Sequence, residues 1–441
     1  MGVQPRTASR AMHRELVGIA LPAFGALVAE PLFLLADSAI IGHLGTSELA
    51  ALGAASAVLL NAVLLCVFLS YGTAAIVARR AGSGDVRAAL TEGLQGIWLA
   101  AGIGVVLGGV GMPSASLLVA LFGVSDQVAA DAVTYLRISM LGMPSMLMVL
   151  AATGVMRGLK NTRTPLLVTG VAALANALLN ILLVYPVGLG IAGSAWGTVL
   201  AQTGAAFWLA GIVFRGARSH GTSLLPRRAG ILLAARAGGP LLVRTGLLRT
   251  SLLCMTFVAT TQGDVALASH QIAWTLWFLL SIPPEAFAIA GQAMVGHAFG
   301  AGDHAGARAI ACRAIRWGLG TGLVAACLLV FLRGLYIPLF TTDVSVRTLL
   351  SSLAIVVAAT QPVGAAVYVL DAILIATGDA RYLAWTMLVA SVVFLPLAGA
   401  VLATGAGVVA LWWALVGWLL ARLVTITVRY RSGAWLRADM G

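Results

Sequence analysis

Apolar runs of twenty or more residues, separated by short basic or glycine-rich stretches, recur along the whole chain. The first reads LVGIALPAFGALVAEPLFLLADSAII from Leu16 to Ile41. A helix rises about 1.5 Å per residue, so this run is long enough to cross a hydrocarbon core of about 30 Å. The same pattern predicts helices over 16–41, 49–78, 88–111, 128–156, 165–185, 190–214, 231–259, 265–296, 308–332, 347–376, 382–403 and 406–428. The runs are apolar on all faces and do not alternate with period two, which argues against a membrane β-barrel. The expected fold is all-α, a polytopic membrane protein of twelve transmembrane helices.

An internal repeat organises these helices. A shift of 218 residues sets Gly82-Ser83-Gly84-Asp85 on Gly300-Ala301-Gly302-Asp303, Pro144 on Pro362, and Gly158 to Arg163 on Ala376 to Arg381. Near the ends the shift relaxes by one residue, setting Ile191–Trp196 on Val408–Trp413. Each unit then holds six helices, and six is even, so the two repeats run parallel about an axis along the membrane normal. The expected domains are an N-terminal bundle over 1–214, a cytoplasmic linker over 215–230 and a C-terminal bundle over 231–441. Two such bundles around a central cleft are the architecture of an alternating-access carrier. The GSGD and GAGD motifs read as tight turns whose Asp caps the next helix. Gly102, Gly104 and Gly108 lie in a helix and read as close-packing positions, not a nucleotide loop.

Composition agrees with the pattern. The chain is 60% hydrophobic and 10% charged, with a mean hydropathy of +1.00, where soluble domains carry about a quarter charged residues. The net charge of +12 is a topology signal, not a nucleic-acid footprint. Arg and Lys collect in alternate connections, among them Arg6, Arg10 and Arg14, Arg79 and Arg80, Arg157 and Lys160, Arg215 to Arg228, and Arg429 to Arg437. The positive-inside rule then places both termini in the cytoplasm, with the lipid bilayer as the principal partner and no nucleic acid. Cys66, Cys254, Cys312 and Cys327 are dispersed in apolar helices without metal-type spacing. With no Walker motif and no catalytic constellation, neither an enzyme nor a cofactor or metal is expected.

Polar residues inside the apolar runs carry the functional expectation, because a charge at membrane depth is costly. Asp37 is the leading one. Glu30 lies seven residues earlier, about two turns back on nearly the same face, and Pro31 should bend the helix between them. Asn176 and Asn180 share a face at i, i+4, and Thr198 lies in the next helix. Coupling residues and interhelical hydrogen-bond glue remain open readings for Asn176, Asn180 and Thr198. In the second half, Arg244, Arg249, Glu285 and Asp371 cannot lie bare in hydrocarbon. A bridge from Arg244 to Asp371 or Glu285 is expected, structural or gating. His270 and His297 read as interfacial.

The stretches PLFLLADSAIIGHLG, RRAGSGD, ANALLNILLVYPVGLGIAGSAWGT, AIAGQAMVGHAFGAGD and DAILIATGDAR together resemble the multidrug and toxic compound extrusion (MATE) family. EP–L–AD–A–IGHLG and PLLVRT are similar to its DinF-like branch. The resemblance covers nearly the whole chain. It implies twelve helices in two lobes and cation-driven export of amphipathic, often cationic small molecules; the expected setting is a bacterial cytoplasmic membrane, with a monomer as the expected state. Asp37 matches the family's first-helix carboxylate, Asn176 the first residue of its helix-5 Asn–x–x–x–Asp pattern, and Thr198 its helix-6 hydroxyl. Asn180 departs from that pattern, which leaves Asp37 as the acid of the first-half cluster. Asp371 matches the helix-10 acid of the sodium-linked branch, but Leu248 and Arg249 stand near its missing helix-7 glutamate. These substitutions favour the proton as coupling ion, with sodium coupling as the alternative. A lipid-linked oligosaccharide flippase and an intramembrane enzyme are the remaining alternatives.

Overall fold

The computed structural model describes the backbone of residues 5–437 and, within it, the side chains other than those of residues 5–9 and Glu30; Arg6 and Glu30 therefore lie outside the described side chains. The helices are α1 (Pro5–Gly42), α2 (Thr46–Leu65), α3 (Phe68–Gly82), α4 (Val86–Ala120), α5 (Asp126–Leu141), α6 (Met143–Gly158), α7 (Arg163–Val184), α8 (Gly190–Ser219), α9 (Arg228–Thr260), α10 (Asp264–Gly300), α11 (His304–Phe331), α12 (Arg333–Phe340), α13 (Val344–Ala376), α14 (Ala380–Thr404) and α15 (Gly407–Arg431). Among the described residues eleven spans are long and apolar enough to cross a membrane, α2 and α3 together forming one of them, and the bent α5–α6 pair, taken as one span, makes a twelfth. Large apolar side chains face outward, such as Val105, Leu117, Phe207 and Phe331, the last 80% exposed. Lipid is the solvent in which such a surface is stable.

The chain divides into two units. One runs Leu21–Gly238; the other joins the residues up to Ala20 to those from Gly239 onward. In the first unit α7 packs on α8, α3 and α4 on α6, and α2 on α5. In the second, α10 and α11 pack on α13, and α15 on both α13 and α14. The apolar window of α13 is 72% buried, the highest share of any span, so α13 is the central post of its unit.

The repeat is visible in backbone detail. Gly84 and Gly302 adopt left-handed φ values of 83° and 75°, after which Asp85 accepts from Ala88 N at 2.8 Å and Asp303 from Gly306 N at 2.8 Å. Both turns thus cap the helix that follows. Gly188 and Gly190 are matched by Gly405 and Gly407, all with positive φ. A further shared contact is glycine against proline. A Cβ on Gly104 would lie 2.4 Å from Pro144 Cα, and one on Gly322 would lie 3.0 Å from Pro362 Cα. Gly104 and Gly108 are close-approach positions, as their spacing suggests, whereas Gly102 faces open space.

Two predicted continuous helices are interrupted. The run 128–156 bends by 51° between α5 and α6. Pro144 has no N–H to donate, and the chain turns at Gly142 just before it. Pro362 sits at the equivalent place in α13 without breaking it. The run 49–78 tightens at Cys66 and Val67, where Cys66 N bonds Val63 O and Leu69 N bonds Cys66 O, a three-residue spacing in place of four. The connection after α8 is strapped to α4. Trp98 donates to Leu224 O at 3.0 Å, and Gln95 accepts from Arg227 N at 2.8 Å.

Candidate functional site

Asp37 comes from the late part of α1, two turns beyond Pro31, and is 4% exposed. It meets α7, where the i, i+4 spacing points Asn176 and Asn180 to one side; both are fully buried. Asn180 Nδ2 donates to Asp37 Oδ1 at 2.5 Å and lies 3.2 Å from the Asn176 side chain. Thr198 of α8, also buried, stands 3.0 Å from the Asn176 amide. The Asn176 amide has two usable orientations. In one, Nδ2 donates to Thr198 Oγ1 at 3.0 Å and Oδ1 accepts from Asn180. In the other, Nδ2 donates to Asp37 Oδ1 at 2.9 Å, while the carbonyl accepts from Thr198 Oγ1 at 3.0 Å and Thr198 N at 3.2 Å. The second orientation serves an ionised Asp37, which accepts only; the first leaves an oxygen facing that carboxyl and serves a protonated one.

The close packing of α7 on α8 is made by glycine. A Cβ on Gly193 would meet the Leu183 backbone at 2.7 Å, and one on Gly197 would stand 2.0 Å from Asn180 Oδ1. Gly197 therefore makes room for the amide that reaches Asp37. Tyr135 of α5, buried to 2% exposure, adds a phenol beside the cluster, with Asp37 and Thr198 among its neighbours. Neither Gly197 nor Tyr135 stands out in the sequence, where each reads as packing.

The second unit has a different polar centre. Asp371, 3% exposed on α13, accepts through Oδ2 from Arg244 of α9 and from Arg422 of α15. Arg422 is 1% exposed and lies over the Trp418 ring at 4.8 Å. Glu285, on α10, is close enough to share Tyr368 as a neighbour with Asp371 and Arg422. Sequence reasoning missed Arg422. A signal existed: it is the one charge in WWALVGWLLARLVTITV, and the cost argument applied to Asp37 applies equally to it. His270 is buried within the protein, with its ring 5.9 Å from Trp412 and 6.3 Å from Trp274.

The two centres do not repeat. Under the internal shift, Asp37, Asn176, Asn180 and Thr198 fall on Met255, Phe394, Ala398 and Leu415, all buried in the apolar core of the second unit. Conversely Arg244, Asp371 and Arg422 fall on Ala26, Thr153 and Ala205. Each repeat holds a polar site where the other is packed with small or apolar residues.

Comparison with known proteins places this geometry in context. The MatE family model matches residues 22–182 and 241–399, one segment in each repeat. The chain is 30% identical over 435 residues to Protein DETOXIFICATION 44, chloroplastic, of Arabidopsis thaliana, covering 96% of this chain and 83% of that one. It is 24% identical over 368 residues to the multidrug resistance protein MdtK of Edwardsiella ictaluri, covering 79% and 78%. Among solved structures it is similar to a MOP-superfamily transporter from Pyrococcus furiosus, with a TM-score of 0.87, 19% identity and 97% of each chain covered. A MATE protein in its bent conformation matches with a TM-score of 0.86 and 20% identity, covering 97% of this chain and 96% of that one.

Proposed function

Because the chain belongs to the MatE family, whose members are membrane transporters and not enzymes, we propose that it is a proton-coupled antiporter exporting amphipathic or cationic small molecules by alternating access. The observation that carries this reading is the environment of Asp37. Its described hydrogen-bond partners are neutral amides, so among the described residues its charge is met by dipoles and not by a guanidinium or ammonium. Loading a proton discharges it; losing the proton restores an uncompensated carboxylate at membrane depth. Asp371, the other buried acid of the spans among the described residues, is held by two guanidinium groups, which leaves a sodium ion an unfavourable neighbour there. That contrast favours the proton over sodium.

The exchange runs through hydrogen bonds. Ionised Asp37 draws the amides of Asn180 and Asn176 towards itself. On protonation the carboxyl becomes a donor, and the Asn176 amide turns, presenting its oxygen to Asp37 and its N–H₂ to Thr198 Oγ1. Asp37 rides on α1 beyond Pro31, whose missing N–H weakens the helix there. In the structure α1 runs through Pro31 as one continuous helix; a rearranged hold on Asp37 would let it bend at that weak point and so alter the affinity for substrate, as antiport requires. The working protein in this reading is a monomer with both termini in the cytoplasm.

Reconstituted vesicles test it. An imposed pH gradient should drive ethidium export, and an ionophore that collapses the gradient should stop it. Asp37→Asn keeps the size and most hydrogen bonds but cannot exchange a proton, so it should insert normally and lose gradient-driven export. Export at the parental rate by Asp37→Asn, or export that follows a sodium gradient and ignores the ionophore, refutes the proposal.

A further inference from the structure

The linker between the repeats has no part in the proton cycle above, yet it is held more firmly than a tether needs. Trp98 of α4 donates to Leu224 O at 3.0 Å, Gln95 Nε2 reaches Leu225 O at 3.4 Å, and Arg87 donates to Gly221 O at 3.0 Å. Trp98 also meets Phe214 of α8 edge-on at 6.0 Å. The first turns of α9 then rest on the same unit. A Cβ on Gly230 would stand 2.6 Å from Gln95 Cγ, and one on Gly238 would stand 2.8 Å from the Phe68 ring of α3. Two residues turn a helix by about 200°, so Arg228, Leu232 and Arg236 point to the side opposite these glycines. All three are exposed, as are Arg227 and Leu233.

That face is basic and, among the described residues, not neutralised. From Gly190 to Gln262 the sequence holds seven arginines and no Asp or Glu. The acids of the helix beneath are Asp85, which caps α4, and Glu92, which is bonded by Arg80 at 2.8 Å with Arg79 beside it. Among the described residues the guanidinium groups of Arg227, Arg228 and Arg236 make no hydrogen bond and no ion pair. The interleaved leucines are also out of place for a surface in water, with Leu232 50% exposed and Leu233 42%. Basic residues alternating with exposed apolar ones on one helix face are the pattern of a surface that meets a charged membrane boundary.

The length of α9 sets the depth of this face. Its 33 residues rise about 50 Å, against about 30 Å of hydrocarbon and about 40–45 Å with the headgroups. With Thr260 at the far surface, the first turns of α9 stand in the headgroup layer on the side of the basic loops. Arg227 and Arg228 are then level with phosphate, and Leu232 is one turn nearer the acyl chains. Arg236 leans back towards the helix N-terminus and snorkels to the same layer. We propose that Arg227, Arg228 and Arg236 bind the phosphate of one anionic phospholipid, whose acyl chain lies against Leu232 and Leu233. Guanidinium forks match phosphate oxygens two to two. A zwitterionic lipid would bring its own cation to a face with no acid to receive it, which makes the ligand an anionic lipid. Because α4 fixes the linker before any lipid arrives, binding orders little further chain. A topology signal requires charge alone; the leucines and the hydrogen-bonded seat go beyond it.

The test is native mass spectrometry of the purified, delipidated full-length protein in detergent, titrated with dioctanoyl phosphatidylglycerol or dioctanoyl phosphatidylcholine. The parental protein should hold one phosphatidylglycerol about tenfold more tightly than phosphatidylcholine, the share of one charge-assisted hydrogen bond. Arg227→Gln combined with Arg228→Gln should abolish that preference. Arg431→Gln combined with Arg437→Gln removes the same charge from two other exposed positions and should keep it. Glycerophosphoglycerol, the headgroup without its chains, should compete poorly, and Leu232→Asn should weaken both lipids. Equal retention of the two lipids by the parental protein overturns the proposal. So does a preference that survives in the Arg227 and Arg228 double variant, or one that both double variants lose alike and that therefore belongs to net charge. Glycerophosphoglycerol competing as well as the lipid would make the face a free-anion site and overturn the lipid assignment. Should the first double variant fail to fold, Arg236→Gln decides: an undiminished preference there overturns the site. These measurements read binding alone, so their failure leaves the antiport proposal standing, and loss of pH-driven export leaves this one standing.

Discussion

Gly197→Ala probes the coupling site without replacing any polar side chain. The added methyl would lie 2.0 Å from Asn180 Oδ1, 3.1 Å from Cγ and 3.2 Å from the Asn180 backbone N. Ordinary contact begins at 3.4 Å, so the amide must retreat by about 1.4 Å or α7 and α8 must separate. Either movement takes Asn180 Nδ2 off Asp37, starting from 2.5 Å. A hydrogen bond to an ionised group is worth about 1.5–3 kcal/mol, so the loss corresponds to about a 10- to 150-fold weaker preference between the two states of Asp37. Gly204 lies in the same helix and its added Cβ would meet nothing within 4 Å, which makes Gly204→Ala the matched control. The assay is pH-gradient-driven ethidium export in vesicles at equal protein, with melting temperatures measured in parallel. Gly197→Ala should lose most coupled export, whereas Gly204→Ala should keep it. Parental export by Gly197→Ala, with the fold intact, would show that the contact between Asn180 and Asp37 is not part of coupling.

Two other predictions test orientation and packing. In a background without the four native cysteines, Thr222→Cys should resist a membrane-impermeant thiol reagent applied outside intact cells and Ser116→Cys should react; the reverse pattern overturns the orientation drawn from the basic loops. Gly322→Ala would push a Cβ to 2.8 Å from Gln361 O and 3.0 Å from Pro362 Cα, whereas Gly320→Ala enters open space. Overpacking at the first should cost about 1–3 kcal/mol, read as a lower melting temperature than Gly320→Ala; equal melting temperatures would mean that α11 and α13 can part without penalty.

Much of this protein is legible in one dimension because the bilayer leaves few choices. Backbone groups in hydrocarbon must be bonded inside a helix or a closed barrel, and a run apolar on all faces such as Leu16–Ile41 suits only the helix, so the number of spans follows from counting runs. The GSGD and GAGD turns were equally readable, since a left-handed glycine followed by a capping Asp is a local device. Asp37 announced itself for the same kind of reason, as an expensive group in an apolar segment. Arg422 carried that signal too, but its identity alone says nothing of the Asp371 oxygen that it shares with Arg244.

What the sequence determined by itself is everything set by local chemistry and by the solvent: helical class, span count, the internal repeat and the presence of costly polar groups. The tertiary structure decided which of those groups meet. Asp37 and Asn180 are 143 positions apart, and Arg244 and Asp371 127; no periodicity links such residues. The bend at Gly142, the space that Gly197 leaves for Asn180, and the divergence of the two repeats into an amide-held acid and an arginine-held one are likewise properties of packing. Such contacts depend on how helices approach one another, and that approach is fixed only when the side chains of several spans fill the same volume together.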